Sequence, residues 1–166
     1  MAEDIRPLSP GDIPIVFVHD FGDGEGPVPA HRHRNPDGAI GGWVANTATL
    51  APTATVGIDA QVYGEAEVHD QAKILDQARV FDNAIVMDAA TIRGAARIHG
   101  FAWIFDLAVI CGSAQVFENA QVGDAAYVAG CARVHGDAIV HFQALMNGEY
   151  TEGLIGTICP SSGTRH

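Results

Sequence analysis

The sequence predicts an all-β protein in which short strands wind into a stack of coils. Three observations with a shared period of six residues support this prediction. An aliphatic residue stands at every sixth position from Val44 to Val140, 17 times without a miss. Alanine stands two positions before each of these residues from Ala48 to Ala138, and glycine, aspartate or asparagine stands two positions after most of them. This period fits neither an amphipathic helix nor a plain hairpin meander.

Each six-residue unit is interpreted as one short strand followed by one corner. The aliphatic side chain points inward, and the alanine lies inside where the backbone bends. Glycine and aspartate after the strand tolerate the left-handed or tight-turn backbone of a corner. Three such units make a coil of 18 residues, so that residues 18 apart lie above one another with a spacing of about 4.8 Å. One coil cannot bury its own apolar face, and the core therefore exists only as a stack.

The repeats resemble those of the hexapeptide-repeat proteins. The resemblance spans Gly42 to about Met146 and is closest to the subgroup whose uninterrupted repeats begin with a Gly-Gly-Trp-Val segment, here Gly41 to Val44. It implies a left-handed parallel β-helix of triangular section with about six coils. Members of this subgroup are often labelled transferases from their fold, which by itself does not establish an activity.

The chain divides into three predicted parts. Residues 1–41 are expected to form an N-terminal cap with one strand at 13–18, followed by the acidic loop DFGDGEGPVP. Residues 42–146 form the β-helix. Residues 147–166 form a C-terminal cap and tail, with one further strand at 154–158. Caps are expected because the open end of a stack exposes unpaired backbone groups and invites aggregation.

Composition argues against several partners. The net charge is −11 and the chain has a single lysine, whereas nucleic acid and anionic membranes require clustered positive charge. No apolar run is long enough to span a bilayer, and no signal peptide is recognised, so a cytoplasmic location is expected. The three cysteines lack a CxxC spacing and fit reduced thiols.

An apolar area is predicted on the outside of the prism, at mid-height. On the second side, counted from the strand at Val62 as the first, the outward ladders place large apolar residues together, with further aromatic residues at the adjoining corner and on the first side: Phe81, Ile85, Met87, Phe101, Trp103, Phe105 and Phe117. Exposed apolar patches with polar ends usually mark association surfaces. The sequence therefore predicts a homo-oligomer, a dimer or a trimer, with a terminal segment folded over the area as the alternative.

Catalytic candidates are few. Acyltransferases of the family that this chain resembles bind acyl-CoA between subunits and use a histidine as general base, for which His99 and His135 are the candidates. However, the repeats carry no projecting loop, and no carboxylate is placed beside these histidines by the spacing considered. We therefore expect a non-catalytic structural or binding module, with the acyltransferase as the alternative. A zinc site like that of the γ-class carbonic anhydrases is favoured least, because His99 and His135 lie two coils apart with Phe117 between them.

Two groups are candidates for metal binding, although no cofactor is predicted. Aspartates occupy the same corner of four successive coils, where they serve either as turn residues or as a row of ligands for a divalent cation such as calcium: Asp70, Asp88, Asp106 and Asp124. His31 and His33 would face the same way in a strand, and the alternative is a basic turn that caps the end of the helix.

Overall fold

The computed structural model describes residues 16–155, and all the strands of this part of the chain belong to three sheets. The first side contains β1 (Val18–His19), β2 (Val28–Arg34), β3 (Ile40–Ala45), β6 (Gln61–Val62), β9 (Arg79–Val80), β12 (Arg97–Ile98), β15 (Gln115–Val116), β18 (Arg133–Val134) and β21 (Glu149–Tyr150). The second side contains β4 (Thr49–Leu50), β7 (Glu67–Val68), β10 (Ile85–Val86), β13 (Trp103–Ile104), β16 (Gln121–Gly123), β19 (Ile139–His141) and β22 (Leu154–Ile155). The third side contains β5 (Thr55–Val56), β8 (Lys73–Ile74), β11 (Thr91–Ile92), β14 (Val109–Ile110), β17 (Tyr127–Ala129) and β20 (Ala144–Met146).

The strands stack as the period of six predicts, and the predicted all-β solenoid is confirmed. Every third strand along the chain pairs in parallel with the next one on the same side, for example Gln61 with Arg79 and Arg79 with Arg97. After three steps of six residues, the chain returns to the same side, which gives about six coils. Outward residues donate their backbone N–H to the following coil, as His99 does to the carbonyl of Val116 at 3.0 Å.

The core is a column of small and aliphatic side chains. All the inward aliphatic residues from Val44 to Val140 are fully buried except Leu50, which is half-buried in the edge strand β4. The alanines from Ala54 to Ala138 are buried as well, and Ala48 is half-buried. Burial of each Val or Ile side chain contributes about 1.5–3 kcal/mol, so the long column offsets the entropy lost by ordering so many two-residue strands.

The corners adopt the left-handed backbone that their residue types predict. Glycine or aspartate has positive φ at most corners, and Glu118 joins them with φ 58°. Asn46, which the pattern also places at a corner, is not among the residues with positive φ. A carboxylate oxygen of a corner residue accepts a hydrogen bond from the backbone N–H 18 residues later, for example Asp88 from Asp106 at 3.0 Å and Glu118 from Gly136 at 2.7 Å. The corner side chains therefore tie successive coils together.

The N-terminal cap is more regular than its sequence predicted. The segment interpreted as a basic turn is mostly strand β2, which pairs antiparallel with β1 and β3, and the turn itself comes at Pro36–Asp37. Only the end of the strand predicted at 13–18 is seen, as β1, and residues 13–15 lie outside the described residues. Likewise β22 covers the start of the strand predicted at 154–158, and residues 156–158 are not described.

Side chains from this cap cover the open edge of the third side at β5. The buried Asn35 amide accepts a hydrogen bond from the N–H of Val56 at 2.8 Å and donates one to its carbonyl at 3.1 Å, much as a neighbouring strand would. Gly41 and Gly42 lie in β3, close to the backbone of the first coil. A Cβ at Gly41 would overlap the carbonyl of Val56, and a Cβ at Gly42 would overlap that of Ala60. The Gly-Gly-Trp-Val segment thus reflects close packing of the cap on the first coil.

Among the described residues, no helix is long and apolar enough to cross a membrane.

Candidate functional site

A continuous column of stacked rings runs along the first side. The outward residue of each coil stacks on the residue of the next coil, with ring centroids 4.6–5.0 Å apart from Tyr63 through Phe81, His99 and Phe117 to His135. The stacking follows directly from the repeat, because residues 18 apart stand one strand spacing apart in a parallel sheet. Each stacked aromatic pair is worth about 0.5–1.5 kcal/mol beyond its buried area.

The cap continues this column beyond the first coil. Phe21 is fully buried and stacks on Tyr63 with centroids 4.7 Å apart, and its edge meets the ring of His19. His19 in turn stacks on Trp43, with ring centroids 4.6 Å apart. The guanidinium of Arg32 also packs on the Trp43 ring, 4.7 Å from its centroid. Burial, with Arg32 nearby, lowers the pKa of His19. The part of the N-terminal segment that the structure describes, residues 16–41, therefore packs against the first side.

The outward histidines have carboxylate partners, which corrects the expectation from the sequence. Asp82 Oδ2 lies 3.7 Å from Nδ1 of His99, Glu118 Oε2 lies 3.5 Å from Nδ1 of His135, and Asp124 Oδ2 lies 2.6 Å from Nδ1 of His141. In each pair the histidine follows the acid by 17 residues. The carboxylate of a corner residue reaches the next coil. There it contacts the outward histidine 17 residues later, and it can accept the backbone N–H of the residue 18 positions later, as Asp82 does from Gly100. A search for an acid 17 residues before a histidine would have found these pairs.

His99 is enclosed on both ring faces. Its two ring faces are covered by Phe81 and Phe117, so that only its edge is open. Burial lowers the pKa of His99, Asp82 opposes this shift, and Arg97 adds to it. His99 is therefore biased toward the neutral form, which can accept a proton. His135 also contacts Glu149 through Nε2 at 2.9 Å, so both of its nitrogens face carboxylates.

His99 and His135 do not meet at one point. Phe117 stands between them, 5.0 Å from the ring centroid of His99 and 4.6 Å from that of His135. Zinc bonds to histidine nitrogens are about 2.0–2.1 Å long. The two histidines of one chain therefore cannot share a zinc ion.

The second side carries the apolar area that the sequence predicts, with a different distribution of exposure. Phe101 is 61% exposed, Trp103 45% and Leu107 64%, all within one coil. Ile85, Met87 and Phe105 are half-buried around them. Leu107 was not predicted, because it lies at the far corner of the second side and belongs to neither of the two outward ladders. Phe81 and Phe117 belong to the stacked column of the first side, where their faces are already covered.

The two ends of this face are polar and internally paired. His69 Nε2 and Glu67 Oε2 are 2.8 Å apart at one end, and His141 and Asp124 form the contact described above at the other. We call the surface formed by Ile85, Met87, Phe101, Trp103, Phe105 and Leu107 the apolar face. A central apolar area with a polar rim is the usual arrangement of a protein–protein interface.

The row of corner aspartates has a structural role. Asp70, Asp88 and Asp106 each accept a hydrogen bond from the backbone N–H of the next aspartate in the row, at 3.0–3.4 Å. Asp124 faces His141 instead. Within residues 16–155, no group of three or more His, Cys, Asp or Glu side chains is arranged to hold a metal ion.

His31 and His33 are separated by their surroundings. His31 is exposed and contacts the Asn46 side chain at 2.9 Å. His33 is buried, and its Nε2 donates to the carbonyl of Ala54 at 3.0 Å. A register shift between Arg32 and Arg34 lies at His33, so the simple alternation of a regular strand does not hold there. Both histidines therefore serve the cap in this structure.

Comparison of the chain with protein-family models, with curated proteins and with solved structures gives no match in any of the three.

Proposed function

We propose that this protein is a member of the hexapeptide-repeat group with a left-handed coil, and that it serves as a non-catalytic binding or structural module that self-associates through its apolar face. The unbroken repeats, the Gly-Gly-Trp-Val opening and the 18-residue register support the family assignment. The observation that carries the function is the exposure of Phe101, Trp103 and Leu107 in a single coil. Large apolar patches of this kind are uncommon on monomers.

A second copy of this chain is the partner that fits best. The six side chains that form the apolar face are uncharged, so two or three copies can meet there if the exposed corner carboxylates of Asp88 and Asp106 stay in solvent. Its charged ends are already paired within each copy, which keeps the desolvation cost at the rim low. Trp103 lies near the centre of the face, where interfaces usually have their strongest contacts. Residues 16–41 of the N-terminal cap pack against the first side, away from this face.

We also propose a cytoplasmic location. Cys111 and Cys131, the two cysteines within the described residues, are unpaired thiols, as expected in a reducing compartment.

The experiment is light scattering on the full chain and on the variant Phe101→Glu/Trp103→Glu. The unaltered protein is expected to have the mass of a dimer or a trimer. The variant should be a monomer, with an association constant lowered about 100-fold or more, because two buried carboxylates would face each other across the interface. Circular dichroism should be unchanged, since both side chains point outward.

Ile58→Glu is the matched control. Ile58 is an exposed apolar residue, 56% accessible, at another corner of the prism. This change also adds a carboxylate, one where the test variant adds two, without touching the apolar face, and it should leave the oligomer intact. A monomeric unaltered protein, or an equal loss of mass in the control, would contradict the proposal.

A second candidate function is CoA-dependent acyl transfer with His99 as general base. One observation favours it: Asp82 lies beside Nδ1 of His99, and burial keeps this histidine neutral. A base needs such an orienting partner. Against it, the cavity lined by Phe81 and Arg97 on this side has a volume of only about 220 Å³, below the 300–1,000 Å³ usual for drug-sized ligands.

Calorimetry with acetyl-CoA separates the two candidates. In the enzyme, acetyl-CoA binds at micromolar concentration, His99→Ala abolishes turnover, and Asp82→Asn lowers kcat. His135→Ala, which alters the equivalent position two coils away, is the control. The binding-module proposal expects no heat of binding with acetyl-CoA and no turnover.

A further inference from the structure

Two arginines on the first side stand together without an acidic partner. Arg79 and Arg97 are direct partners in the register of β9 and β12, so their backbones lie about 4.8 Å apart. Within residues 16–155, neither guanidinium has a carboxylate oxygen within 4.0 Å. Within the same residues, Arg133 is the one Lys or Arg side chain with such a partner, so what sets Arg79 and Arg97 apart is that they are adjacent. Like charges at this separation repel, and an anion between them would remove the repulsion.

Arg133 shows what the same ladder does when a partner is present. It stands two coils beyond Arg97, with Gln115 between them. Its guanidinium lies 3.4 Å from Glu149 and packs over the ring of Phe117 at 5.1 Å. The acidic partner is thus available at one end of the ladder and lacking in the middle.

A cavity of about 220 Å³ lies where the two unpaired arginines project. Arg79, Arg97, Tyr63 and Phe81 line it, and the loop residues Gly22 and Asp23 close it on the side of the cap. Gly22 has a positive φ of 72°, and Asp23 Oδ1 accepts the N–H of Glu25 at 2.9 Å, so the loop is held in a defined shape.

The aromatic residues present their edges to this cavity. Both faces of Tyr63 are covered by Phe21 and Phe81, and both faces of Phe81 by Tyr63 and His99. A flat ligand therefore finds no free ring to stack on. The edge of an aromatic ring carries partial positive charge, which suits an anion.

The residues that line the cavity carry two guanidinium groups and one carboxylate, that of Asp23. The 20–26 loop also carries Asp20 and Glu25, and Asp20 Oδ1 accepts the backbone N–H of Gly22 at 2.8 Å. Asp82 lies nearby, but its carboxylate accepts the N–H of Gly100 at 3.1 Å and faces His99. Burial raises the pKa of the Tyr63 hydroxyl, so it remains protonated near neutral pH and can donate a hydrogen bond.

We propose that Arg79 and Arg97 form a binding site for a small tetrahedral oxyanion, a phosphate group, in the cavity beneath the 20–26 loop. Guanidinium groups bind phosphate oxygens in pairs, and the three or four oxygens of a phosphate can engage two arginines and the Tyr63 hydroxyl at once. The volume suits a phosphate or a small phosphate ester and is too small for a nucleotide cofactor. The site lies on the first side, so its test does not depend on self-association through the apolar face.

The test is calorimetric titration of the full chain with sodium phosphate, against sodium chloride at equal ionic strength. One phosphate per chain is expected to bind at or below about 1 mM. Arg97→Gln should weaken binding about tenfold or more, as expected for the loss of charge-assisted hydrogen bonds. Arg133→Gln removes the same charge from the same ladder and should change the affinity less than about twofold.

Two further measurements make the assignment specific. Asp23→Asn removes the carboxylate that lines the cavity and should tighten phosphate binding. Acetate, which is planar and has two oxygens, should bind more weakly than phosphate. Equal weakening by Arg97→Gln and Arg133→Gln, acetate affinity equal to that of phosphate, or no heat with phosphate up to about 10 mM would each overturn the proposal.

Discussion

The ring of Phe105 lies directly over Gly123, the residue that follows it by one coil on the second side. A Cβ at position 123 would overlap the ring, and the edge of the same ring meets His141 one coil further on, with centroids 6.1 Å apart. Gly123 has no positive φ, so the glycine is required here by space and not by backbone conformation. The Phe105 side chain therefore lies flat against the second side, directed toward the later coils, whereas the Trp103 side chain projects outward.

Gly123→Ala should destabilise the protein by about 1–3 kcal/mol, because Phe105 must leave its position or the coils must separate. In a Phe105→Leu background, the same substitution should cost less, since a smaller side chain leaves room for the methyl group. Chemical denaturation of the four proteins of this double-mutant cycle measures the coupling. Additive effects of the two changes would contradict the packing described for this pair.

Ile98→Asp should unfold the stack. Ile98 is fully buried in the middle of the core, and an unpaired carboxylate there costs several kcal/mol, a large part of the 5–15 kcal/mol that stabilises a typical domain. Circular dichroism should show loss of the β signal. Arg97→Asp, one residue earlier on the same strand but facing outward, is the control and should retain the fold.

Stability should fall as the pH is lowered through the range in which His99 titrates. Its pKa in the folded state lies below its usual value of about 6.5, because burial disfavours the charged ring. The unfolded chain therefore binds a proton more readily, so the stability is fully present above about pH 6.5 and is lost as the pH falls toward the folded pKa.

His99→Phe isolates this contribution. The new ring continues the stack between Phe81 and Phe117 and has no proton to gain. Thermal melts between pH 7 and 5 should show a smaller loss of stability in the variant than in the unaltered protein. Parallel curves for the two proteins would show that His99 does not contribute to the pH dependence.

The corner aspartates are expected to act as hydrogen-bond acceptors for the backbone. Asp88→Asn retains both an acceptor oxygen and tolerance of the left-handed backbone, so its melting temperature should change little. Asp88→Ala loses both and should cost about 1–2 kcal/mol.

Calcium tests the other interpretation of the corner aspartates, in which they form a row of ligands for a divalent cation. If the carboxylates served only the backbone, calcium and a chelator would leave the melting temperature unchanged. A melting temperature raised by calcium and restored by the chelator would instead support the cation row, because a ligand that binds the folded state stabilises it.

The sequence alone determined the solenoid, since one aliphatic residue in every six can be buried only if the chain turns a corner at each repeat. Every inward residue from Val56 to Val140 is buried as the period requires. The apolar face could also be predicted, because residues 18 apart become neighbours in any stack of three-sided coils. These features depend on spacing along the chain and need no knowledge of side-chain direction.

The tertiary structure decided what the outward side chains contact. The pairing of His99 with Asp82 depends on how far a corner carboxylate reaches into the next coil, and the unpaired state of Arg79 and Arg97 depends on where the 20–26 loop lies. The covering of the first side by Phe21, and of the edge at β5 by Asn35, depends on the irregular cap. A repeat fixes the contacts between residues at equivalent positions of successive coils. Contacts between the repeats and a non-repetitive segment such as the cap arise only when the whole chain has folded.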